Sequence, residues 1–174
     1  IDELVKKAGG SVLRAPLGSL QEKFADNRED IVFASEPWKP IFMDLGMWMD
    51  GIVGAARISQ MIHEKGNDSC IELMKSVPEY PMLRENVPCP DEIKPKFLPR
   101  VQELLVDEIT GIESTQDDDG IRINRDDGSY VLVRVSGTEP KARLYIGAKS
   151  QDTLDSIAEK ARKVMEQVLE DLKA

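Results

Sequence analysis

Apolar residues near the end of the chain recur at three- and four-residue steps: Leu154, Ile157, Ala161, Val164, Val168 and Leu172. That spacing predicts one amphipathic helix over 151–173, laying a single face on a sheet. Before it the period changes to two. Tyr130 to Val135 alternates, a polar turn follows, and Ala142 to Ala148 forms a second run. Two strands joined by a loop are expected, and Asp126-Asp127-Gly128 ahead of them is a strong hairpin turn. Further strands are predicted over Ile109 to Ser114 and Ile121 to Asn124. Tyr80 to Val87 reads as extended until Pro88 and Pro90 break it. A helix is predicted from Asp91 to about Leu105, with Pro95 and Pro99 blurring its start. The C-terminal part is therefore α+β, with about four antiparallel strands and two helices.

The first third carries a different pattern. Ile1, Leu4, Val5 and Ala8 predict a short helix stopped by Gly9-Gly10. Ser11 to Arg14 is expected as a short strand, Ala15-Pro16-Leu17-Gly18 as a turn, and Leu20 to Asn27 as a weak helix. The apolar run Asp30 to Ala34 reads as a buried strand. Glu36 to Pro40 reads as a loop, because two prolines are unsuited to a central strand. Asp50 should cap a helix reaching about Lys65, with Ile52, Ala55, Ser59 and Ile62 on one face. This order suits the back half of an α/β layer. Asn67 to Pro78 carries little strand signal, and the domain junction is expected there.

Composition narrows the chemistry. Across 174 residues the hydrophobic fraction is 41%, enough for a core, and the formal net charge of −9 opposes binding to nucleic acid or an anionic membrane. No apolar run approaches the about 20 residues of a membrane-spanning helix. Cys70 and Cys89 are too few for a disulfide scaffold, and no Cys or His spacing suggests zinc. A cytoplasmic setting is the default expectation. The chain opens at Ile1 inside a helical pattern, which reads as part of a longer protein.

An anion site in such an acidic chain must be a local island of positive charge. Arg134, Lys141 and Arg143 form one around Ser136-Gly137-Thr138. Arginine presents a planar fork of donors matched to two phosphate oxygens, and small loop residues let backbone N–H groups close on an anion. Ser-Gly-Thr by itself is also ordinary turn chemistry. On the strand, Arg134 shares a face with Tyr130, Leu132 and Ser136, opposite Val131, Val133 and Val135. Asp117-Asp118-Asp119-Gly120 lacks the alternating ligands of a calcium loop and reads as a solvated turn. His63, late on its helix without a second ligand, reads as an ordinary helix-terminal residue. Arg14 and Lys23 read as surface charges.

The full string, Arg134-Val135-Ser136-Gly137-Thr138-Glu139-Pro140-Lys141-Ala142-Arg143, resembles the phosphate-binding loop of the α-D-phosphohexomutases, the phosphoglucomutase, phosphomannomutase and phosphoglucosamine mutase enzymes. Their last domain carries an Arg-Pro-Ser-Gly-Thr-Glu-Pro-Lys-x-Arg-type sequence, and Val135 stands where that pattern has proline. The resemblance extends along the chain. It implies that residues 1–64 are the second half of the family's third domain, 65–78 a hinge, and 79–174 a complete fourth domain resembling the TATA-binding-protein fold.

By the same resemblance Arg134, Ser136, Gly137 and Thr138 ligate a substrate phosphate. Lys141 and Arg143 join them, or only supply field and pair with Glu139. The family reads sugar hydroxyls with a Gly-Glu-x-Ser/Asn-Gly loop, and Glu36 matches its carboxylate. Ser35, Trp38 and Lys39-Pro40 depart from that pattern. Trp38 either stacks on a sugar ring or covers the domain edge, and Lys39 stands beside it in the candidate sugar site. Asp50-Gly51 resembles the dipeptide that opens the family's next helix.

The family's phosphoserine loop and its Asp-Gly-Asp-Gly-Asp-Arg-type Mg²⁺ loop do not occur in these 174 residues. The resemblance thus implies an inactive portion of an enzyme that interconverts sugar 1-phosphates and 6-phosphates, using Mg²⁺ elsewhere. Its partners would be a phosphorylated hexose and the missing N-terminal domains. The rival expectation is a stand-alone phosphosugar-binding or regulatory module.

Overall fold

A computed structural model describes residues 1–15, 19–36, 39–66, 70–75 and 77–173. Contacts divide the chain into two units, Ile1–Pro78 and Glu79–Ala174.

The first unit contains α1 (Asp2–Lys7), α2 (Leu20–Asp26), β1 (Phe33–Glu36), β2 (Lys39–Phe42), α3 (Gly51–Glu64) and α4 (Cys70–Met74). Gly9, at φ 81°, lies just beyond α1, a left-handed position that glycine fills without strain. Asp50 caps α3 as expected, its Oδ1 accepting from the N–H groups of Ile52 and Val53 at 2.9 and 3.0 Å.

Three expectations change here. Residues Ser11 to Arg14 form no strand, because none of the described segments pairs with them. The apolar run at 30–34 is not a buried strand: β1 starts at Phe33, and Val32 is 86% exposed. Pro40 lies inside β2 and not in a loop. Its partner is Ser35 in a two-stranded antiparallel ladder, where a missing N–H is tolerated at an edge. On α3 the covered residues are Val53, Gly54, Arg57 and Ile62, so of the expected face Ile62 is partly covered while Ile52, Ala55 and Ser59 are exposed. A Cβ on Gly54 would lie 3.2 Å from Pro40 Cγ, so the small residue sets how closely helix and hairpin approach. Arg57 pairs with Asp44 and stacks over Phe42, whose ring meets Phe33 at 5.4 Å. The expected Ala15–Gly18 turn lies mostly outside the described residues, as does the 67–69 part of the expected hinge.

The second unit follows the pattern closely. It runs β3 (Met82–Pro88), α5 (Lys94–Glu108), β4 (Ile112–Gln116), β5 (Ile121–Arg125), β6 (Tyr130–Val135), β7 (Lys141–Gly147) and α6 (Gln151–Asp171). The strands form one antiparallel sheet in the order β3-β7-β6-β5-β4, five strands where about four were expected. The added member is the extended stretch before Pro90, which pairs with β7 along its length. Alternation decides the faces. Ile121, Ile123, Val131, Val133, Ala142, Leu144 and Ile146 are buried against Phe97, Val101 and Leu105 of α5 and the apolar stripe of α6. Each of the valine, leucine and isoleucine side chains contributes about 1.5–3 kcal/mol of burial.

Helix α5 begins at Lys94, three residues later than the pattern suggests, with Pro95 in its first turn where a missing N–H is harmless. Pro99 lies inside and costs one backbone bond. Helix α6 is capped by Ser150, whose hydroxyl accepts from Thr153 N–H at 3.2 Å. Among the described residues no helix is long and apolar enough to cross a membrane.

Candidate anion-binding site

β6 and β7 are adjacent and antiparallel, and Arg134 stands opposite Arg143 in the register. Because Val133, Ala142 and Leu144 beside them point to the core, both guanidinium stems emerge on the sheet face opposite α5 and α6. Their side chains are only 17% and 19% exposed. The Nε atoms of both are buried and have no hydrogen-bond partner. Two like charges side by side, each with an unsatisfied buried donor, form a site short of negative charge.

Carboxylates offset part of that charge. Asp119 Oδ1 lies 3.2 Å from Arg134, and Glu139 bridges Lys141 at 2.6 Å and Arg143 at 2.9 Å. Of the two expectations for Lys141 and Arg143, their observed contact is the pairing with Glu139. A hydrogen bond with the Tyr145 hydroxyl, ahead of the Glu139 contact, raises Arg143 above its ordinary pKa, so it stays a cation. Asp119 was legible only as part of a solvated turn. It lies between Asp118 and Gly120, which form an isolated bridge.

The loop between the strands is closed by Ser136 N–H donating to Lys141 O at 2.9 Å. Ser136 is 5% exposed, whereas Gly137, Thr138, Glu139 and Pro140 are open to solvent. Thr138 N–H points to Ser136 Oγ at 3.5 Å, a long contact. Among the described residues, the two chain neighbours of Gly137 apart, no atom lies within 4 Å of where a Cβ on Gly137 would sit. The chain itself therefore does not require glycine there, and an incoming group can approach the backbone directly.

One participant has no signal in the sequence pattern. Lys94, at the first turn of α5, donates to Ser136 O at 2.5 Å and to Glu139 O at 2.7 Å, and pairs with Asp91 at 2.5 Å. Some forty residues separate it from the loop, and a lysine at a helix start reads as a surface charge.

Glu36 ends β1 opposite Lys39, and its carbonyl accepts from the Ser35 hydroxyl at 2.6 Å. Trp38 and the Lys39 side chain lie outside the described residues. Among the described residues no group of three His, Cys, Asp or Glu gathers as a metal site. A cavity of about 260 Å³ lined by Arg125, Asp127, Thr153 and Lys160 sits at the other end of β6, away from the loop.

Three carboxylates of this unit titrate below their ordinary values. A hydrogen bond from Arg162 lowers Glu85. Burial pushes Asp127 up, but the Ser129 hydroxyl and N–H, with Arg125 and Lys149, bring it below normal. Lys141 leads and Arg143 adds at Glu139. A folded-state pKa below the unfolded one stabilises fully above the unfolded value, near 4, and is lost as pH falls through the folded value. The melting temperature of the chain should therefore fall between about pH 5 and about pH 2. A melting temperature that stays level or rises on acidification across that range would contradict these pairings.

Comparison with known proteins gives the chain a family context. Residues 85–164 match the family model described as phosphoglucomutase/phosphomannomutase, C-terminal domain. A phosphopentomutase from Thermococcus kodakarensis is 35% identical over 98% of this chain and 37% of its own length. A probable phosphoglucosamine mutase from Methanopyrus kandleri is 37% identical over 98% of this chain and 38% of its own. The chain thus spans well under half the length of these relatives. A crystal structure of a phosphoglucomutase/phosphomannomutase family protein from Burkholderia thailandensis shares the fold, with a TM-score of 0.71 at 20% identity over 96% of this chain and 35% of that one.

Proposed function

Since the chain belongs to the phosphoglucomutase/phosphomannomutase family and carries its C-terminal domain, we propose that it is the phosphosugar-recognition part of a phosphohexomutase. The parent enzyme moves a phosphate reversibly between C1 and C6 of a hexose through a bisphosphorylated intermediate. In this reading residues 79–174 hold the phosphate that is not reacting, and residues 1–64 contribute Glu36 as an acceptor for sugar hydroxyls. Residues 65–78 act as the hinge.

The observation that carries the proposal is the pair Arg134 and Arg143, registered opposite each other with buried, unsatisfied Nε atoms beside an open Gly137. Such a site recognises phosphate geometry and not the sugar attached, so it can accept the intermediate in either orientation. Ser136 and Thr138 add hydroxyl donors, while Lys141 and Arg143 exchange Glu139 for the ligand. Mg²⁺ would serve the reacting phosphate on a loop that this sequence does not contain, and none of the residues described here fits it.

Phosphoryl transfer needs a nucleophile and charge neutralisation at the reacting end. The 174-residue chain should accordingly show no mutase turnover, yet inorganic phosphate and glucosamine 6-phosphate should shift the amide resonances of Gly137 and Thr138. Free glucosamine should not shift them. Turnover by the purified chain would overturn the division of labour, and silent 137–138 amides would overturn the site. In the full-length parent, Glu36→Gln should reduce turnover of each sugar phosphate while phosphate binding at the loop persists. Unchanged turnover would remove Glu36 from the sugar site.

A further inference from the structure

The geometry points to Lys94 as the residue that sets the loop's backbone for anion binding, a positioning role that rests on the phosphate reading above. Its side chain is 12% exposed, and its ammonium holds two carbonyls at opposite ends of the loop, Ser136 O and Glu139 O.

Peptide geometry gives this contact a consequence. The 136–137 bond is trans, so its carbonyl and its N–H point in opposite directions. Drawing Ser136 O toward Lys94 turns the Gly137 N–H the other way, in a residue that carries no Cβ of its own and has open space where one would sit. Among the described residues that N–H has no partner within the chain. At the second carbonyl the following residue is Pro140, which has no N–H, so its capture misdirects no donor. One cation therefore holds two carbonyls of the loop, while the Gly137 N–H is turned away from it toward an incoming anion.

The charge adds to the effect. Lys94 is a cation held close behind the loop, and a phosphate in front of it gains its field through a partly desolvated path. Asp91, 72% exposed, supplies only a weakened counter-charge from the solvent side. Helix α5 thus does more than cover the sheet: its first turn carries the group that shapes the loop.

The test is a titration of the 174-residue chain with inorganic phosphate, followed by amide NMR, in wild type, Lys94→Gln and Lys94→Arg. Lys94→Gln should bind phosphate about tenfold more weakly, with the Gly137 shift diminished and the core amides of β7 unmoved. Lys94→Arg keeps charge and donors and should recover most of the affinity. Wild-type affinity and an undiminished Gly137 shift in Lys94→Gln would overturn the role of Lys94 while leaving the phosphate site intact. No shift in wild type would overturn the phosphate site and this inference together. Should Lys94→Gln fail to fold, the wild-type Lys94 ammonium decides. Its ¹⁵N signal should move and its exchange with water should slow on adding phosphate, and a signal indifferent to saturating phosphate overturns the inference.

Discussion

Replacing Arg134 with alanine should weaken phosphate binding by the chain, and lower kcat/KM of the parent enzyme, about 10- to 100-fold. The estimate is that of a charge-assisted hydrogen bond, about 1.5–3 kcal/mol, removed from a bound anion. Three features place Arg134 at the upper end. Its guanidinium is largely covered, so its interaction is weakly screened. Its Nε is buried without a partner, so a ligand oxygen would satisfy a donor that the folded chain leaves unmet. Its ion pair with Asp119, at 3.2 Å, is a looser contact than the 2.6 and 2.9 Å pairs of Lys141 and Arg143 with Glu139. Arg134 therefore gives up less than its neighbours when it turns to a phosphate. Loss of Arg134 should cost little stability, because the valines on the opposite face of β6 keep their burial. Isothermal titration and thermal unfolding of the same samples separate the two effects. An unchanged dissociation constant in Arg134→Ala would dismiss the site.

Gly120→Ala should damage both the fold and the site. Gly120 has φ +91°, a conformation that a side chain adopts only under strain. An added Cβ would sit 2.5 Å from the Val133 carbonyl oxygen and 2.6 Å from Arg134 Cβ. The first of these is backbone within the central ladder and has no room to retreat without breaking the β5–β6 pairing. Strain and overpacking together should cost about 2–4 kcal/mol. For a unit of this size that lowers the melting temperature by roughly 10–25 °C. Arg134 and Asp119 should be displaced with the turn, so phosphate affinity falls as well. Gly137→Ala is the informative contrast. With nothing within 4 Å of its Cβ, it should leave stability unchanged and hinder only the approach of the anion. A Gly120→Ala protein that melts with wild type would show that the turn relaxes freely and that the Asp119–Arg134 pair is incidental.

The candidate anion site was legible as a candidate because its ingredients are contiguous. Ten residues of one hairpin carry the arginines, the hydroxyls and the glycine, and a period of two puts the valines inward and Arg134 outward. The cap at Asp50 and the stripe of α6 were legible for the same reason: each is a relation between residues three or four apart. Expectations failed where the missing information was what lies alongside. The run before β1 is as apolar as a core strand, yet Val32 precedes the first ladder pair, Phe33 with Phe42, and is left 86% exposed. Pro40 reads as a strand breaker, but a proline breaks a ladder only if a neighbour requires its N–H.

Local order along the chain therefore carried the strands, helices and loop of residues 79–174, since hydrophobic period and turn chemistry are properties of neighbours in sequence. Tertiary structure alone decided three things: that Arg143 faces Arg134, that Asp119 reaches the same guanidinium, and that Lys94 grips the loop from behind. Each depends on strand register or helix docking, which bring together side chains 9, 15 and some 42 residues apart. No periodicity records such distances, because they are set by how whole faces pack and not by the residues that come to meet.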